Sequence, residues 1–326
     1  MYSVFITRSL PDPIVEKIEQ VAKVSMWEEE EVPVPQERLE KELEQADGIL
    51  CLLTETIEEK LLLGADRLKI ISNMAVGYNN IDVAAASKKG IMVTNTPGVL
   101  TETTADLTFA LLMATARRIV ESSTYLKNGK WQTWSPFQLT GQDVYGTTLG
   151  IIGMGRIGEA VARRAVGFGM NILYNNRSRN MEAEKQLGVI YTDFETLLRQ
   201  SDFVCVLTPY TPETRNLIDR EQLSWMKKTA TLINTSRGGV VNEDALYEAL
   251  VGHKIWAAGL DVFEEEPVPL NHPLLSLPQV VALPHIGSAS IQTRMRMAEL
   301  AAANLIDGLQ GKKPKHLVNP APSNIE

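Results

Sequence analysis

Short apolar runs alternate along this chain with stretches in which apolar residues recur every three or four positions. This alternation is typical of strands and helices that build a parallel sheet, and nearly all-apolar strands indicate that both faces of the sheet are covered. In the first hundred residues it predicts five strands: Val4–Thr7, Val24–Trp27, Ile49–Leu53, Ile70–Ala75 and Ile91–Thr94. Helical patterns lie between them, for example Pro35–Gln45 and Asp82–Lys89.

A second round of the pattern begins after a long predicted helix. Residues 101–104 offer a cap for this helix before the apolar run Leu107–Ala116, and its pattern continues to Gly129. Residues 131–145 are irregular and mix aromatic with polar side chains. Six more strands are predicted: Leu149–Ile152, Ile172–Asn175, Phe203–Leu207, Thr231–Asn234, Ile255–Val262 and Val280–Leu283. With a final helix over Ile291–Leu309, the pattern predicts two α/β domains with doubly wound parallel sheets.

Length and charge narrow the class of protein. The 326 residues suit two domains of roughly 150 residues each, and 44% hydrophobic with 22% charged residues is the composition of a folded globular chain. A net charge of −8 leaves no broad basic surface, so we expect no nucleic-acid partner. One short basic cluster is interpreted as a solvated tail and comprises Lys312, Lys313, Lys315 and His316.

The two cysteines, Cys51 and Cys205, each lie in a predicted buried strand, so we expect free thiols and a reducing compartment. The N-terminal residues show no signal-peptide pattern, and no run approaches the ~18 apolar residues of a membrane span. We therefore expect a cytoplasmic protein without membrane association. No metal is predicted.

A glycine-rich turn follows the predicted strand Leu149–Ile152 directly and opens a helical pattern that Gly169 ends. In such a turn Gly153 permits the tight bend, Gly155 lets the backbone approach a pyrophosphate, and Gly158 allows the helix to pack closely on the strand. The helix N-terminus offers free N–H groups and a partial positive charge to the phosphates. Strand, turn, helix and second strand in this order predict a dinucleotide-binding site.

The residue after the second strand of this unit indicates the type of cofactor. NAD sites usually carry Asp or Glu there, because a carboxylate accepts hydrogen bonds from the ribose hydroxyls. This chain has Asn176, followed by Arg177, Ser178 and Arg179. A neutral amide does not repel a 2′-phosphate and two guanidinium groups attract it, so the sequence predicts NADP(H), with NAD as the weaker alternative. The same residues also fit an ordinary basic surface turn.

Polar residues follow three successive late strands, at the sheet edge where parallel sheets hold their ligands. Arg237 could hold a carboxylate and a keto oxygen with its planar guanidinium. His285 can exchange a proton near neutral pH. A carboxylate beside the imidazole would favour the protonated form that reduction of a carbonyl requires. Glu264, Glu265 and Glu266 are consecutive, and the pattern alone does not choose between them.

Over essentially its whole length the chain resembles the D-isomer-specific 2-hydroxyacid dehydrogenase family. The stretches that carry the resemblance are Gly146–Gly158, Cys205–Ile218, Ile233–Val241, Gly259–Pro267 and Leu283–Ser288. Residues 72–82, 95–101 and 129–134 are most similar to glyoxylate/hydroxypyruvate reductases and bacterial 2-ketogluconate reductases. The resemblance implies a reductase that converts glyoxylate, hydroxypyruvate or 2-ketogluconate to D-2-hydroxy acids by hydride transfer, and residues 176–179 add the predicted preference for NADP(H).

The resemblance also assigns residues to roles. It implies that Arg237, Glu266 and His285 are the catalytic trio, with His285 as the general acid and Glu266 as its partner. Arg237 and His285 would contact the substrate, and Asp261 would hold the nicotinamide carboxamide. The other positions implied to line the cofactor, besides the glycine turn and residues 176–179, are Arg156, Ile157, Thr208, Pro209, Thr235, Ser236, Gly287 and Ser288.

A discontinuous domain arrangement is implied as well. Residues 1–100 plus 289–326 would form the substrate domain and residues 101–288 the dinucleotide-binding domain, with the active site in the cleft. Val76 and Gly77 would contact the substrate carboxylate through their backbone. The family forms homodimers through its cofactor domains, with the segment around residues 120–145 exchanged. Trp134 matches a residue that enters the partner's active site in the reductases, and ordinary interface packing fits it equally well.

Other functions remain open at this point. A 3-phosphoglycerate dehydrogenase, an NAD-dependent member, is disfavoured by residues 176–179 and by the expected absence of a regulatory extension. A formate dehydrogenase would not need the proton-transfer pair. A non-enzymatic, redox-sensing corepressor on the same scaffold is disfavoured by the intact trio and the acidic composition. Which 2-oxo acid is the natural substrate is not decided by the sequence, because small pocket changes alter specificity.

Overall fold

The computed structural model describes residues 1–322, and the chain divides into two units. The first unit contains Met1–Leu100 and the described residues from Ser290 onward, and the second contains Thr101–Ala289. The chain therefore leaves the first unit once, builds the second without interruption, and returns.

Twelve strands and twelve α-helices are present in the described residues. The strands are β1 Tyr2–Ile6, β2 Ala22–Met26, β3 Gly48–Cys51, β4 Ile70–Asn73, β5 Met92–Thr94, β6 Thr148–Ile152, β7 Asn171–Asn175, β8 Ile190–Tyr191, β9 Phe203–Val206, β10 Thr231–Asn234, β11 Ala257–Leu260 and β12 Val280–Ala282. The helices are α1 Asp12–Glu19, α2 Gln36–Leu43, α3 Glu59–Leu63, α4 Val83–Lys88, α5 Thr101–Ala116, α6 Ile119–Lys127, α7 Arg156–Gly167, α8 Met181–Leu187, α9 Phe194–Gln200, α10 Arg220–Trp225, α11 Glu243–Val251 and α12 Ile291–Leu309.

The first unit is a five-stranded parallel sheet with the order β2-β1-β3-β4-β5. Helix α12 packs on its central strands. A Cβ added to Gly308 of α12 would lie 2.4 Å from Ile70 Cδ1 on β4, and the Ser72 hydroxyl donates to the Ala301 carbonyl at 2.8 Å. The last helix of the chain is therefore part of the first unit's core.

The second unit is a seven-stranded parallel sheet with the order β12-β11-β10-β9-β6-β7-β8. Its strands bury alternate residues on two faces: Ile151 and Cys205 contact the core formed with α5 and α7, whereas Ile152 and Val204 face α9 and α11. This double burial explains why the strands are mostly apolar, and the two parallel sheets confirm the predicted fold class. The strand order reverses at β6, which places a crevice at its carboxyl end.

The prediction of one helix continuing to Gly129 was wrong. Helix α5 ends at Ala116, and Arg118 adopts a left-handed conformation with φ of 52° before α6 begins. The chain returns to this point, where the Gln142 amide donates to the Ala116 carbonyl at 2.8 Å. A Cβ on Gly141 would lie 2.2 Å from that same carbonyl oxygen, so residues 141–142 end the helix by direct contact.

Both cysteines are free and fully buried in strands, and burial raises the pKa of the Cys205 thiol to about 12. Inert packing is therefore the role their environment supports. Within residues 1–322, none of the helices has the length and apolar character needed to cross a bilayer.

Candidate active site

The glycine turn after β6 owes its shape to close backbone contacts. Gly153 has φ of +102°, and a Cβ there would lie 2.8 Å from the Leu207 carbonyl carbon. A Cβ on Gly158 would lie 2.4 Å from the Gly153 carbonyl oxygen. Two of the three glycines are therefore required by the protein itself, one by its backbone conformation and both by the lack of space.

Gly155 differs because, apart from its own neighbours in the chain, no described residue has an atom within 4 Å of a Cβ placed on it. It is exposed and directly precedes α7, whose N-terminus has no side-chain cap. The unpaired N–H groups of the first turn, which includes Arg156 and Ile157, therefore face open space. This arrangement fits an anionic group such as a pyrophosphate.

The backbone directly after β9 closes the other side of the turn. The peptide joining Leu207 and Thr208 contacts Gly153, and the Pro209 carbonyl accepts a hydrogen bond from the Thr214 hydroxyl at 2.7 Å. Thr208 and Pro209 are thereby fixed next to the glycine turn.

The basic segment after β7 is only partly available to a ligand. Arg179 is engaged by Glu184 of α8, with its Nε 3.0 Å from one carboxylate oxygen and its Nη2 bonded to the other. The buried Tyr174 donates to the same carboxylate at 2.7 Å. Hydrogen bonds from Arg179 and Tyr174 lower the pKa of Glu184 to about 2, so the carboxylate stays ionised and competes with any other anion for Arg179.

Arg177 and Ser178 are exposed, and Asn176 is half-buried at the end of the strand. The charge of Arg177 contributes to lowering the pKa of Glu213, after the larger effects of hydrogen bonds around Thr211 and Glu213. Of the two arginines, Arg177 is the one whose guanidinium is not bonded to Glu184.

The two carboxylate oxygens of Asp261, directly after β11, differ in their hydrogen bonds. It is 1% exposed, and Oδ1 accepts the Ile286 amide at 2.8 Å. Oδ2 is buried and has no hydrogen-bond partner within residues 1–322, with the Gly287 position packed against it. Burial raises the pKa of this carboxyl, while the Ile286 amide opposes the rise. An acceptor left in this state fits the amide N–H of a nicotinamide carboxamide.

The turn after β10 is shaped by Asn234. Its amide nitrogen donates to the Arg237 carbonyl at 2.9 Å, and its oxygen accepts from the amide and hydroxyl of Ser236 at 3.1 and 2.8 Å. The neighbouring Thr235 shares a 2.7 Å hydroxyl contact with Thr108 of α5. These bonds fix the backbone from which the Arg237 side chain projects.

The turns after β10 and β11 are in direct backbone contact. A Cβ on Gly238 would lie 1.8 Å from the Phe263 carbonyl carbon and 2.1 Å from the Glu264 nitrogen. Only glycine allows this approach. The residues that follow Arg237 and those that precede Glu266 therefore form one packed block.

His285, after β12, is paired with Glu266. Its Nδ1 lies 2.6 Å from Glu266 Oε2, and Oε1 of the same carboxylate accepts the Phe263 amide at 2.9 Å. Burial raises the pKa of Glu266, but the bond and charge of His285, together with the Phe263 amide, outweigh it and leave the value lowered. The geometry selects Glu266 from the three consecutive glutamates and leaves Nε2 as the ring nitrogen directed away from the pair.

Arg237 is mostly buried, and its Nη1 donates to the Ser236 carbonyl at 2.7 Å. Burial lowers the pKa of its guanidinium, and the charge of Glu266 opposes that effect. The block around residues 237, 266 and 285 thus contains a cation, an anion and an imidazole, which can hold a carboxylate and transfer a proton.

The remaining predicted site residues are Val76, Gly77, Trp134 and Ser288. Val76 and Gly77 follow β4 in the first unit, and their carbonyls accept bonds from Asn95 at 2.8 Å and Asn73 at 3.0 Å. These bonds fix the orientation of both peptide groups. Trp134 lies in residues 128–147, which contain no helix or strand, and it is 76% exposed. Ser288 is half-buried beside Gly287.

Three residues that shape the site were missed by sequence reasoning. Asn234 and Gly238 flank Arg237, and a polar side chain ending a buried strand together with the Gly-Gly pair is a signal that could have indicated them. Glu243 accepts the Glu264 amide at 2.6 Å, a contact without a local sequence signal because it spans 21 residues.

Known proteins are similar to this chain over nearly its whole length. Residues 109–287 match the family described as D-isomer specific 2-hydroxyacid dehydrogenase, NAD binding domain. A glyoxylate reductase from Korarchaeum cryptofilum (strain OPF8) is 53% identical over 317 residues, covering 97% of this chain and 95% of that protein. A crystal structure of a protein from Thermus thermophilus gives a TM-score of 0.91 at 44% identity, covering 97% of this chain and 100% of the other. An NADPH-dependent glyoxylate/hydroxypyruvate reductase from Sinorhizobium meliloti, in complex with NADP and malonate, gives 0.85 at 33% identity, covering 98% of each chain.

Proposed function

Because the chain belongs to the D-isomer specific 2-hydroxyacid dehydrogenase family, we propose that it reduces small 2-oxo acids, glyoxylate and hydroxypyruvate first among them, to D-2-hydroxy acids. The observation that carries the proposal is the 2.6 Å pair of His285 and Glu266 in the same packed block as Arg237. The names of the similar reductases support the choice of substrate. The nicotinamide dinucleotide, when bound, supplies the hydride.

The chain's own residues supply the remaining chemistry. Arg237 holds the substrate carboxylate and carbonyl oxygen with its planar guanidinium. His285 donates the proton from Nε2 to the carbonyl oxygen, and Glu266 stabilises the protonated imidazole through Nδ1. Glu266 is suited to this because its own pKa is lowered and it remains ionised.

The residues of the second unit fit the cofactor at both ends. Open space at Gly155 and the uncapped start of α7 fit the pyrophosphate, and the buried Oδ2 of Asp261 fits the carboxamide. We assign cofactor contacts to Gly153, Gly155, Arg156, Ile157, Gly158, Asn176, Arg177, Ser178, Arg179, Thr208, Pro209, Thr235, Ser236, Asp261, Gly287 and Ser288.

A direct assay tests the function. Purified protein mixed with NADPH or NADH and with glyoxylate, hydroxypyruvate or 2-ketogluconate should oxidise the cofactor, followed by absorbance at the nicotinamide band. We expect the two smaller acids to be reduced faster than 2-ketogluconate. Absence of turnover with all three acids and both cofactors would refute the proposed reductase.

Replacing Gly155 with alanine should separate cofactor binding from folding. A methyl group there meets no protein atom and φ is −91°, so the melting temperature should not change. The same methyl group would press on a bound pyrophosphate, and we expect the Kd of NADPH and NADH to rise about ten- to hundredfold, since overpacking costs about 1–3 kcal/mol. Gly167→Ala, equally open at the other end of α7, is the matched control and should leave both constants unchanged. Unaltered cofactor binding in Gly155→Ala would place the dinucleotide elsewhere.

We also propose that NADP(H) is preferred over NAD(H), with Arg177 as the main contact of the 2′-phosphate. Arg177→Gln should raise the Kd of NADPH about tenfold or more, because a hydrogen bond to a charged group contributes about 1.5–3 kcal/mol. Arg179→Gln should have a smaller effect, since Glu184 already engages that guanidinium. The Kd of NADH should be unaffected in both variants. Arg199→Gln is the control, because it loses a similar surface ion pair with Glu195, and it should leave the Kd of both NADPH and NADH unchanged. Titration calorimetry with both cofactors measures this, and equal losses for NADPH and NADH would exclude a 2′-phosphate site here.

A homodimer formed through the second unit is the proposed assembly. Apolar side chains on and after α6 are exposed: Ile119, Val120, Leu126, Trp131, Trp134 and Phe137. Next to them lies a cavity of about 720 Å³ between α6 and the β11–β12 edge, lined in part by Tyr125, Trp256 and Val280. Exposed apolar surface of this extent is typical of protein interfaces. Sedimentation equilibrium should give twice the 36.1 kDa chain mass, and a monomer at micromolar concentration would contradict the assignment.

A further inference from the structure

We propose that Glu243 is a positioning residue that fixes the turn carrying Glu266, and that His272 holds Glu243 in place. The inference rests on the proposed function, because the catalytic roles of Glu266 and His285 come from it. Glu243 lies at the start of α11, and His272 directly precedes the 3-10 helix Pro273–Ser276.

A continuous chain of contacts joins the pair to the catalytic residues. His272 Nε2 lies 3.1 Å from Glu243 Oε2, and Glu243 Oε1 accepts the Glu264 amide at 2.6 Å. The preceding amide, of Phe263, donates to Glu266 Oε1. The carboxylate of Glu243 thus binds one peptide of the turn, and the next peptide back along the chain orients the partner of His285.

This turn has little freedom on its other side. The Phe263–Glu264 peptide is pressed against Gly238, directly after Arg237. Phe263 is buried, and its ring meets the His272 ring edge-on, with centroids 5.9 Å apart and an angle of 71°. The Phe263–Glu264 peptide is therefore held by the hydrogen bond to Glu243 on one side and by steric contact with Gly238 on the other. Loss of the Glu243 bond should displace Glu266 relative to both His285 and Arg237.

Glu243 is not needed as a helix cap. The start of α11 is capped by Asn242, whose side chain accepts the Ala245 amide at 3.0 Å, and Asp244 supplies a second acidic group to the first turn. The Glu243 side chain instead turns toward residue 264 and is only 12% exposed. Burial raises the pKa of its carboxyl, against the Glu264 amide and the His272 charge. Burying a carboxylate costs free energy unless hydrogen bonds or charges compensate it, so we attribute a structural role to the bonds that Glu243 makes.

The test compares Glu243→Ala, Glu243→Gln and the neighbouring control Asp244→Ala. In Glu243→Ala, kcat for glyoxylate should fall about ten- to hundredfold, the loss expected for a displacement of about 1 Å, while the Kd of NADPH stays within about twofold. Glu243→Gln retains an acceptor for the Glu264 amide and should recover most of kcat. Asp244→Ala should match the wild type. A kcat within twofold of wild type in Glu243→Ala, or no recovery in Glu243→Gln, would overturn the proposal.

Two further measurements keep the test decisive. If Glu243→Ala does not fold, His272→Phe retains the ring contact with Phe263 and removes the bond to Glu243. It should lower kcat about threefold to tenfold, the effect expected for the loss of one hydrogen bond. An unchanged kcat in a folded His272→Phe would remove His272 from the proposal. Nuclear magnetic resonance of the His285 imidazole does not require turnover: because Glu266 bonds Nδ1, the ring chemical shifts should change in the Glu243 or His272 variants when Glu266 is displaced. A wild type without activity would refute the proposed function, whereas unchanged His285 chemical shifts in the variants would refute this inference alone.

Discussion

Replacing His285 with asparagine should lower kcat for glyoxylate reduction by about 10²–10⁴-fold, the usual contribution of a positioned general acid. The asparagine amide is too weak an acid to transfer a proton at neutral pH, whereas the imidazole of His285 can do so and is held by the ionised carboxylate of Glu266 at 2.6 Å. Cofactor binding should survive, because the contacts assigned to the dinucleotide lie on other residues. Steady-state kinetics with glyoxylate and fluorescence titration with NADPH measure the two effects separately.

Asparagine is chosen because His285 has φ of +53°, a left-handed conformation that asparagine tolerates better than alanine. His253 has φ of +51° and lies in the cavity between α6 and the β11–β12 edge, so His253→Asn imposes the same backbone demand without touching the trio. That control should retain wild-type turnover. Should the His285 variant keep more than about a tenth of the wild-type kcat, another group is the proton donor.

The pairing also predicts the pH dependence of turnover. Reduction consumes a proton, so kcat/KM for glyoxylate should fall as pH rises. At acid pH, Glu266 affects the free energy of unfolding instead. Because its pKa is lowered in the folded chain, the stability that it adds is present above its unfolded pKa of about 4.3 and is lost as pH falls below that value. Residual turnover in the His285 variant should no longer show the alkaline decline.

The elements of the fold were predictable where burial is uniform. Strand β9 is covered on both faces, so all of its residues, Phe203–Val206, are apolar and the pattern predicts a buried strand. The two-residue strand β8 gave too little sequence to detect. The break at Arg118 was hidden because α6 has no buried residue, and the contact that ends α5 comes from residues 141–142, more than twenty positions away.

The residues of the candidate site also divide into those that the sequence could predict and those that it could not. Gly153 and Gly158 could be predicted because the backbone itself demands them, and the strand ends indicated Arg237 and His285. The choice among three consecutive glutamates depended on which side chain reaches His285, which spacing does not encode. The pair of Arg179 with Glu184 was equally hidden: the sequence showed two arginines attractive to a phosphate, and the structure shows one of them held by a carboxylate.

Arg237 is the second residue whose replacement should have a very large effect. Arg237→Lys retains a positive charge but replaces a planar fork with a single ammonium group, which cannot hold a carboxylate and a carbonyl oxygen together. Burial also lowers the pKa at this position, and lysine begins from about 10.4 instead of arginine's ordinary value. A lysine there is therefore closer to losing its charge.

We expect kcat/KM for glyoxylate to fall about 10²–10³-fold in Arg237→Lys, equivalent to about 2.7–4 kcal/mol of transition-state stabilisation. The Kd of NADPH should be unchanged. Arg220→Lys is the matched control, because Arg220 also makes a two-point contact with a carboxylate, Glu248, but on the exposed surface. It should keep wild-type kinetics. If Arg237→Lys retained kcat/KM within about threefold, charge alone would be sufficient at this position, and the two-point grip on the 2-oxo acid would have to come from another residue.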